Sequence, residues 1–476
     1  MKDNSILAKE LILDLKKSGV ELWTEEGKLK YRDRSGNFDL ARKEKVKELK
    51  ENILKVLENE KKMNQIVHRT ITEPVPLTKV QAAYLLGKSD AVFFGGVGCQ
   101  GYMEVNFGSY SPEKIKTAWR KLVERHAMLR AKVKQEGIEF LEPASISFET
   151  EIVDLRGKSK EEREQALETI RNSFRDVEYD TQTPPLFKTL ITQTEEGNYF
   201  HLSIDLIVTD FASVQLAIGE MGTILSGGKL KELELTFADY VLHECKAKEG
   251  LKWFADKEYW MNRIDSLPQA PVLPSGGRAE AKMEGNNKFR RLQKHLSLEN
   301  WNQLKSKAAK AGVTASTVVL AVYAETIARW SENKKFTLNL PIQNRMDIHE
   351  DVQYLVGDFT TVNLLEVDVT KKRSFTERVK SIAAQLHKDL EHTSFTGIEV
   401  LRELSNVHGR EKAFMPIVFT GVLKAEGKAG SIEYGLSQTP QVFIDCQVVD
   451  ESELNREDRG LMISWDIRNG AIKDVI

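Results

Sequence analysis

Apolar residues along the first sixty positions follow three successive patterns. "SILAKELILDLKKSGV" sets Ile6, Leu7, Leu11, Leu13 and Leu15 at mainly helical spacing, with Gly19 as the stop. "VELWTEEGKLKYRD" alternates around Gly27 and predicts a β-hairpin. "ARKEKVKELKENILKVLENEKK" then predicts one charged amphipathic helix with Val46, Leu49, Ile53, Leu54 and Leu57 on one side. Sixty residues with so small a core are marginal alone and would gain from a partner. A polar linker ending in prolines follows, and from about residue 78 helices and strands alternate. "SPEKIKTAWRKLVERHAML" predicts a helix opened by Pro112, "YFHLSIDLIV" a strand, and "DFASVQLAIGEMGTIL" a helix starting at or beside Asp210. After the Pro/Gly-rich "SLPQAPVLPSGGRAEAKMEGNN", the α/β character returns. It comprises a helix over "TASTVVLAVYAETIARWS" and strands "FTLNLPI", "TTVNLLEV", "PIVFTGVL" and "QVFIDCQVV".

At 476 residues the chain is expected to form two or three domains. These are 1–60, a linker 61–75, a lobe 76–265, a crossover 266–287 and a second lobe 288–476. A net charge of −2 gives no electrostatic reason to propose nucleic acid or an anionic membrane as partner. Cys99, Cys245 and Cys446 form no CxxC pair, which argues against a zinc site or disulfide framework and suits a reducing cytoplasm. The N-terminus has acidic residues inside its apolar stretch and is not a signal peptide, and no apolar run is long enough to span a membrane.

General catalytic signatures are missing: there is no P-loop, dinucleotide fingerprint, HExxH or GxSxG. The conspicuous chemistry is in "HLSIDLIVTDFASVQ" (201–215), where Asp205 and Asp210 interrupt an apolar strand and Ser213 follows. Strands avoid Asp, and an unpaired buried carboxylate is costly. The pair is either a capped, salt-bridged turn or a site at a strand end. Asp210 is placed to cap the next helix, whereas Asp205 needs a cation, donors or solvent. His201 shares a face with Ser203 and Asp205; it is either catalytic or a neighbour that tunes the carboxylate. His126 in "ERHAML" suits helix-end packing better than a metal.

"DLIVTDFAS" resembles the DxxxxDxxS signature of nonribosomal peptide synthetase heterocyclization domains, relatives of condensation domains whose equivalent stretch is HHxxxDG. Asp205 stands at the first His position and Leu206 at the second. Further motifs follow in the family's order: "VPLTKVQAAYLLG" (75–87), "RHAML" (125–129), "LPQAPVLP" (267–274), "VGDFTTVNLLEV" (356–367), "PIVFTGVL" (416–423) and "SQTPQVFIDCQV" (437–448). Gly421 departs from the Ser usual after FT. Residues 1–60, through "GVELWTEEGKLKYRD", resemble tubulysin-synthetase-type N-terminal docking domains. The chain carries no adenylation or carrier domain and is expected to be the front piece of a longer protein.

The resemblance implies an α/β fold of two chloramphenicol-acetyltransferase-like lobes in a V-shaped pseudo-dimer, with a tunnel between them and a small α+β docking domain in front. It implies condensation of an upstream carrier-bound acyl thioester with carrier-bound cysteine, serine or threonine, then cyclodehydration to a thiazoline or oxazoline. No bound cofactor is implied, because substrates arrive on the phosphopantetheine arms of upstream and downstream peptidyl carrier proteins. The docking segment, with Trp23 in its small core, would take the C-terminal tail of an upstream subunit or dimerise. By the same resemblance Thr420 and Asp445 act in cyclodehydration. Asp445, between Ile444 and Cys446, sits where an apolar strand raises a carboxyl pKa. Asp210 is structural, paired with Arg290, Arg291 or Arg345. Asp205 lies nearer the tunnel. Ser213, Asn344, Asp347, Asp358 and Gln447 support the site. The rivals are an ordinary amide-forming condensation domain, disfavoured by Asp205 and Leu206, and a non-catalytic docking or gating module, disfavoured by intact Thr420 and Asp445.

Overall fold

The computed structural model describes residues 3–63, 74–88, 96, 98–175, 177–274, 289–424, 431–452 and 459–472. Parts of the expected linker and crossover, 64–73 and 275–288, lie outside the described residues. The front unit contains α1 (Asn4–Lys17), β1 (Val20–Glu25), β2 (Lys28–Asp33), α2 (Leu40–Glu48) and α3 (Lys50–Met63). Glu26 and Gly27 both take positive φ, 49° and 72°, as the tight turn of a twisted hairpin requires. The charged amphipathic stretch after the hairpin forms two helices, broken at Leu49; the break lets Val46 and the Ile53/Val56 pair reach one core with Leu11, Leu15 and Val20. Trp23 does not join that core. With period two, Val20 and Leu22 face inward, so Trp23 turns outward, 36% exposed, with Arg32 5.8 Å from its ring.

The first half continues with α4 (Lys79–Gly87), β3 (Gln100–Asn106), α5 (Pro112–Arg125), β4 (Ala131–Lys134), β5 (Gly137–Phe140) and β6 (Thr150–Asp154). It then adds α6 (Lys160–Arg175), β7 (Phe187–Gln193), β8 (Asn198–Asp205), α7 (Phe211–Leu225), α8 (Phe237–Ala247) and α9 (Leu251–Met261). In α5 the buried positions Ile115, Ala118, Trp119, Leu122 and Val123 follow helical spacing, and Trp119 packs edge-on against Phe187. The second half holds β9 (Phe289–Leu296), α10 (Leu298–Ala311), α11 (Ala315–Trp330), β10 (Lys335–Gln343), β11 (Thr360–Asp368), α12 (Phe375–Leu390) and α13 (Gly397–His408). It ends with β12 (Ile417–Lys424), β13 (Ser431–Gln438), β14 (Ile444–Asp450) and β15 (Leu461–Arg468).

Two separate sheets organise the body. One has the order β13-β3-β8-β7-β6 and the other β11-β10-β12-β14-β15-β9. The second buries Phe336, Leu338, Phe419, Ile444, Cys446 and Val448 in one core with Leu320, Tyr323 and Ile327 of α11. The halves interlock, because β13 leaves the second half and pairs antiparallel with β3, from Ser431↔Asn106 to Gln438↔Gln100. The front unit rests on the first half: Leu251 packs against its core, Glu60 Oε1 accepts from the Leu251 N–H at 2.5 Å, and Lys9 Nζ donates to the Glu249 carbonyl at 2.6 Å. Among the described residues no single helix is long and apolar enough to cross a membrane.

Candidate active site

Strand alternation gives the six-stranded sheet two chemically different faces. Ile444, Cys446 and Val448 face the helices, so Asp445, Gln447 and Val449 face the other way. That wall bounds a cavity of about 380 Å³, closed by Gly101, Met103, Leu206, Asp210, Phe211, Gly435 and Ser437 from other elements. The register aligns Asn339, Val418, Asp445, Asp466 and Arg291 in one row across β10, β12, β14, β15 and β9. The next row brings Thr420, Gln447, Ser464 and Gln293 together. β12 carries a register shift between Thr420 and Val422 that makes Gly421 the bulged residue, and bulges re-aim neighbouring side chains.

Thr420 and Asp445 meet on this wall. Thr420 Oγ1 donates to Asp445 Oδ1 at 2.9 Å, and Gln447 Nε2 donates to Oδ2 at 2.7 Å. Burial pushes the Asp445 carboxyl up to about 6; the nearby Asp466 charge adds to this, and the hydrogen bonds from Gln447 and Thr420 oppose it. A carboxyl held there can both give and take a proton near neutrality.

The two aspartates of 201–215 part company. Asp210 caps α7, its Oδ1 accepting from the Ser213 N–H at 2.6 Å and its Oδ2 from the Phe359 N–H at 3.1 Å. Its cation is Arg345, 3.8 Å away and equally buried, which also donates to Ser213 Oγ at 2.8 Å. Ser213 Oγ in turn donates to the Gly357 carbonyl at 2.7 Å, so this knot ties α7 to the second half. Arg291 goes elsewhere, to Asp466 and Gln447, and Arg290 has the opposite parity on β9. Asp205, expected nearer the tunnel, is turned away from the cavity, and Leu206 lines it instead. Asp205 is 1% exposed, with Oδ2 2.5 Å from Lys88 Nζ and Oδ1 accepting from the Ile207 N–H. It shares its side of the sheet with His201, as the alternation required. Burial holds the His201 ring down at about 4, bonded between Tyr102 and Thr192. His126 bonds Glu220 at 2.6 Å, a packed helix end.

The remaining candidates lie apart from the cavity, except Gln447. Asp347 is exposed. Asn344 acts through its backbone, donating to the Phe359 carbonyl and accepting from the Tyr240 hydroxyl. Asp358 is buried, its carboxyl pushed well up by burial and by Asp210, and its Oδ2 has no hydrogen-bond partner among the described residues. Sequence reasoning missed Asn339, which lines the cavity with its Oδ1 buried and likewise unpartnered among the described residues. A polar residue between Leu338 and Leu340 was the available signal.

The sequence profile of the condensation domain matches residues 98–440, and that of the TubC N-terminal docking domain matches residues 9–59. The chain belongs to the condensation-domain family, with a TubC-type docking domain at its front. Within that family it stands with the heterocyclization domains of nonribosomal peptide synthetases. It is 33% identical over 474 residues to pyochelin synthetase PchF of Pseudomonas aeruginosa, covering 97% of this chain and 26% of that protein. It is 30% identical over 410 residues to phenyloxazoline synthase MbtB of Mycobacterium sp. (strain MCS), covering 84% of this chain and 34% of that protein. The EpoB NRPS cyclization-docking bidomain from Sorangium cellulosum superposes with a TM-score of 0.73 at 30% identity, over 98% of this chain and 94% of that one. The chain thus spans only about a quarter to a third of the two curated relatives' length.

Proposed function

We propose that the cavity joins an acyl thioester, presented on one carrier's phosphopantetheine arm, to the amine of cysteine, serine or threonine on another, and then closes a thiazoline or oxazoline. The observation that carries this reading is the Thr420–Asp445 pair on the cavity wall, with the carboxyl held at about 6. In the first step the amine nitrogen bonds to the thioester carbonyl carbon and the C–S bond breaks; the released thiol takes the amine's proton. Positioning does most of this work. In the second step the side-chain thiol or hydroxyl adds to the new amide carbonyl. The resulting hydroxyl then leaves as water, taking a proton from Asp445, and the ring nitrogen returns its proton to the carboxylate as C=N forms. Thr420 Oγ1 steadies the carboxylate between the two transfers. Leu206, where relatives with the HHxxxDG motif carry a histidine, leaves the first step without a side-chain base at that point.

Residues 1–60 would dock the C-terminal tail of an upstream subunit, and 76–265 and 288–476 would act as the two lobes. The outer face of the hairpin offers the surface: exposed Trp23 lies among the opposed pairs Glu21–Arg32 and Glu25–Lys28, with Lys30 beside it.

The test is a product-resolved time course with Asp445→Ala. Loss of a placed general acid lowers its step by about 10² to 10⁴. The variant should form the amide and accumulate the uncyclised or hydrated product, one water heavier than the wild-type product. Equal loss of both steps in a normally melting variant removes the assignment.

A further inference from the structure

We propose that Arg291 is a positioning residue for the proton chemistry of Asp445, holding the Gln447 amide so that it turns its N–H, and not its carbonyl, toward that carboxyl. The inference rests on the assignment of Asp445 made above. Asp445 on β14 lies opposite Asp466 on β15, which lies opposite Arg291 on β9. Like charges directly opposite one another in a sheet repel. Arg291 closes on only one of them, with Nε 2.7 Å from Asp466 Oδ1 and Nη2 2.6 Å from Oδ2. Its Nη2 also donates to Gln447 Oε1 at 3.0 Å, and its Nη1 donates to the Gly435 carbonyl of β13.

A primary amide can turn end for end, and its two ends act oppositely on a carboxyl. The N–H stabilises the carboxylate; the carbonyl accepts from, and so stabilises, the acid. A guanidinium offers donors only. With Oε1 committed to Arg291, Gln447 Nε2 is left to Asp445 Oδ2 at 2.7 Å and Ser437 Oγ at 2.5 Å. Without Arg291 both orientations open, and the flipped one strengthens the proton's hold on Asp445. The groups facing Asp445 are few. From β15 and β9 come Asp466 and Arg291, of opposite sign; burial pushes Asp466 up and Arg291 pulls it back. From β12 comes the Thr420 hydroxyl. Beside it on β14 is the Cys446 thiol, and from α11 comes Tyr323, which donates to the Val418 carbonyl at 3.0 Å; burial pushes both out of the neutral range.

The test uses Arg291→Met/Asp466→Leu, which removes both charges together and leaves no buried carboxylate unpaired, beside Gln447→Leu in an otherwise intact chain. One readout is the upper pH limb of the cyclodehydration step. The other needs no turnover: the pH at which the melting-temperature gain of Asp445→Asn levels off, measured in each background. Both should move up by about one pH unit, a tenfold tighter hold on the proton. If both stay in place while the rate falls, Arg291 is merely structural and the proposal is overturned. If the wild-type chain forms amide but no heterocycle, the assignment of Asp445 fails, and the melting series still decides Arg291 separately.

Discussion

At the scale of single residues, Asp445 ties stability to pH. Its carboxyl sits at about 6 in the fold against an ordinary 3.8, so folding favours the protonated form. That contribution is complete below the unfolded value and is lost as pH rises through about 6. The ceiling, about two units at roughly 1.4 kcal/mol each, is about 3 kcal/mol. Asp445→Asn should therefore melt higher than the wild type at pH 8 and no higher at pH 4, which calorimetry at the two pH values checks. A gain that survives at pH 4 would contradict the linkage. That Thr420 and Asp445 belong together was legible only through the motifs that carry the family resemblance, and the structure brings the two side chains into contact. Strand alternation put His201, Ser203 and Asp205 on one side. Which side would meet the cavity was not legible, because that depends on where distant elements pack. Arg345, not Arg291, met Asp210 for the same reason: pairing across more than a hundred residues leaves no local trace.

Among the elements, α7 shows how much rests on one cap. Asp210 satisfies the Ser213 and Phe359 N–H groups and faces Arg345. Asp210→Ala loses the cap, about 1 kcal/mol, and strands a buried guanidinium, so the combined cost should reach about 3–5 kcal/mol. Denaturant unfolding beside Asp210→Asn, which keeps a capping oxygen, measures it; an alanine variant as stable as the wild type would show that the knot contributes nothing. Helices such as α5 and α11 were readable from their periodic apolar faces. The break at Leu49 was not, since neither Gly nor Pro marks it and only the small core behind it demands the turn. β13 was missed as well: "SIEYGLSQ" has a strand's alternation diluted by Gly435, and nothing local says that its partner is β3.

For the molecule as a whole, the docking proposal predicts a kinetic dissection. Trp23→Ala removes the exposed ring from the outer face of the hairpin and leaves the Glu60–Leu251 contact with the body intact. Transfer from the natural upstream subunit should fall at least about tenfold, while activity with carriers supplied at high concentration is retained, because docking raises only effective concentration. Equal loss in both assays would mean that the hairpin serves folding instead. The interlocked strand also has a consequence in time. β3 waits for a neighbour encoded more than three hundred residues downstream. At a synthesis rate of about 5–20 residues per second, that is roughly 15–70 s with one edge of the first sheet unpaired. An open edge invites other strands. For a nascent chain of this kind the dangerous interval is set by the ribosome's pace, and it closes only when β13 has emerged.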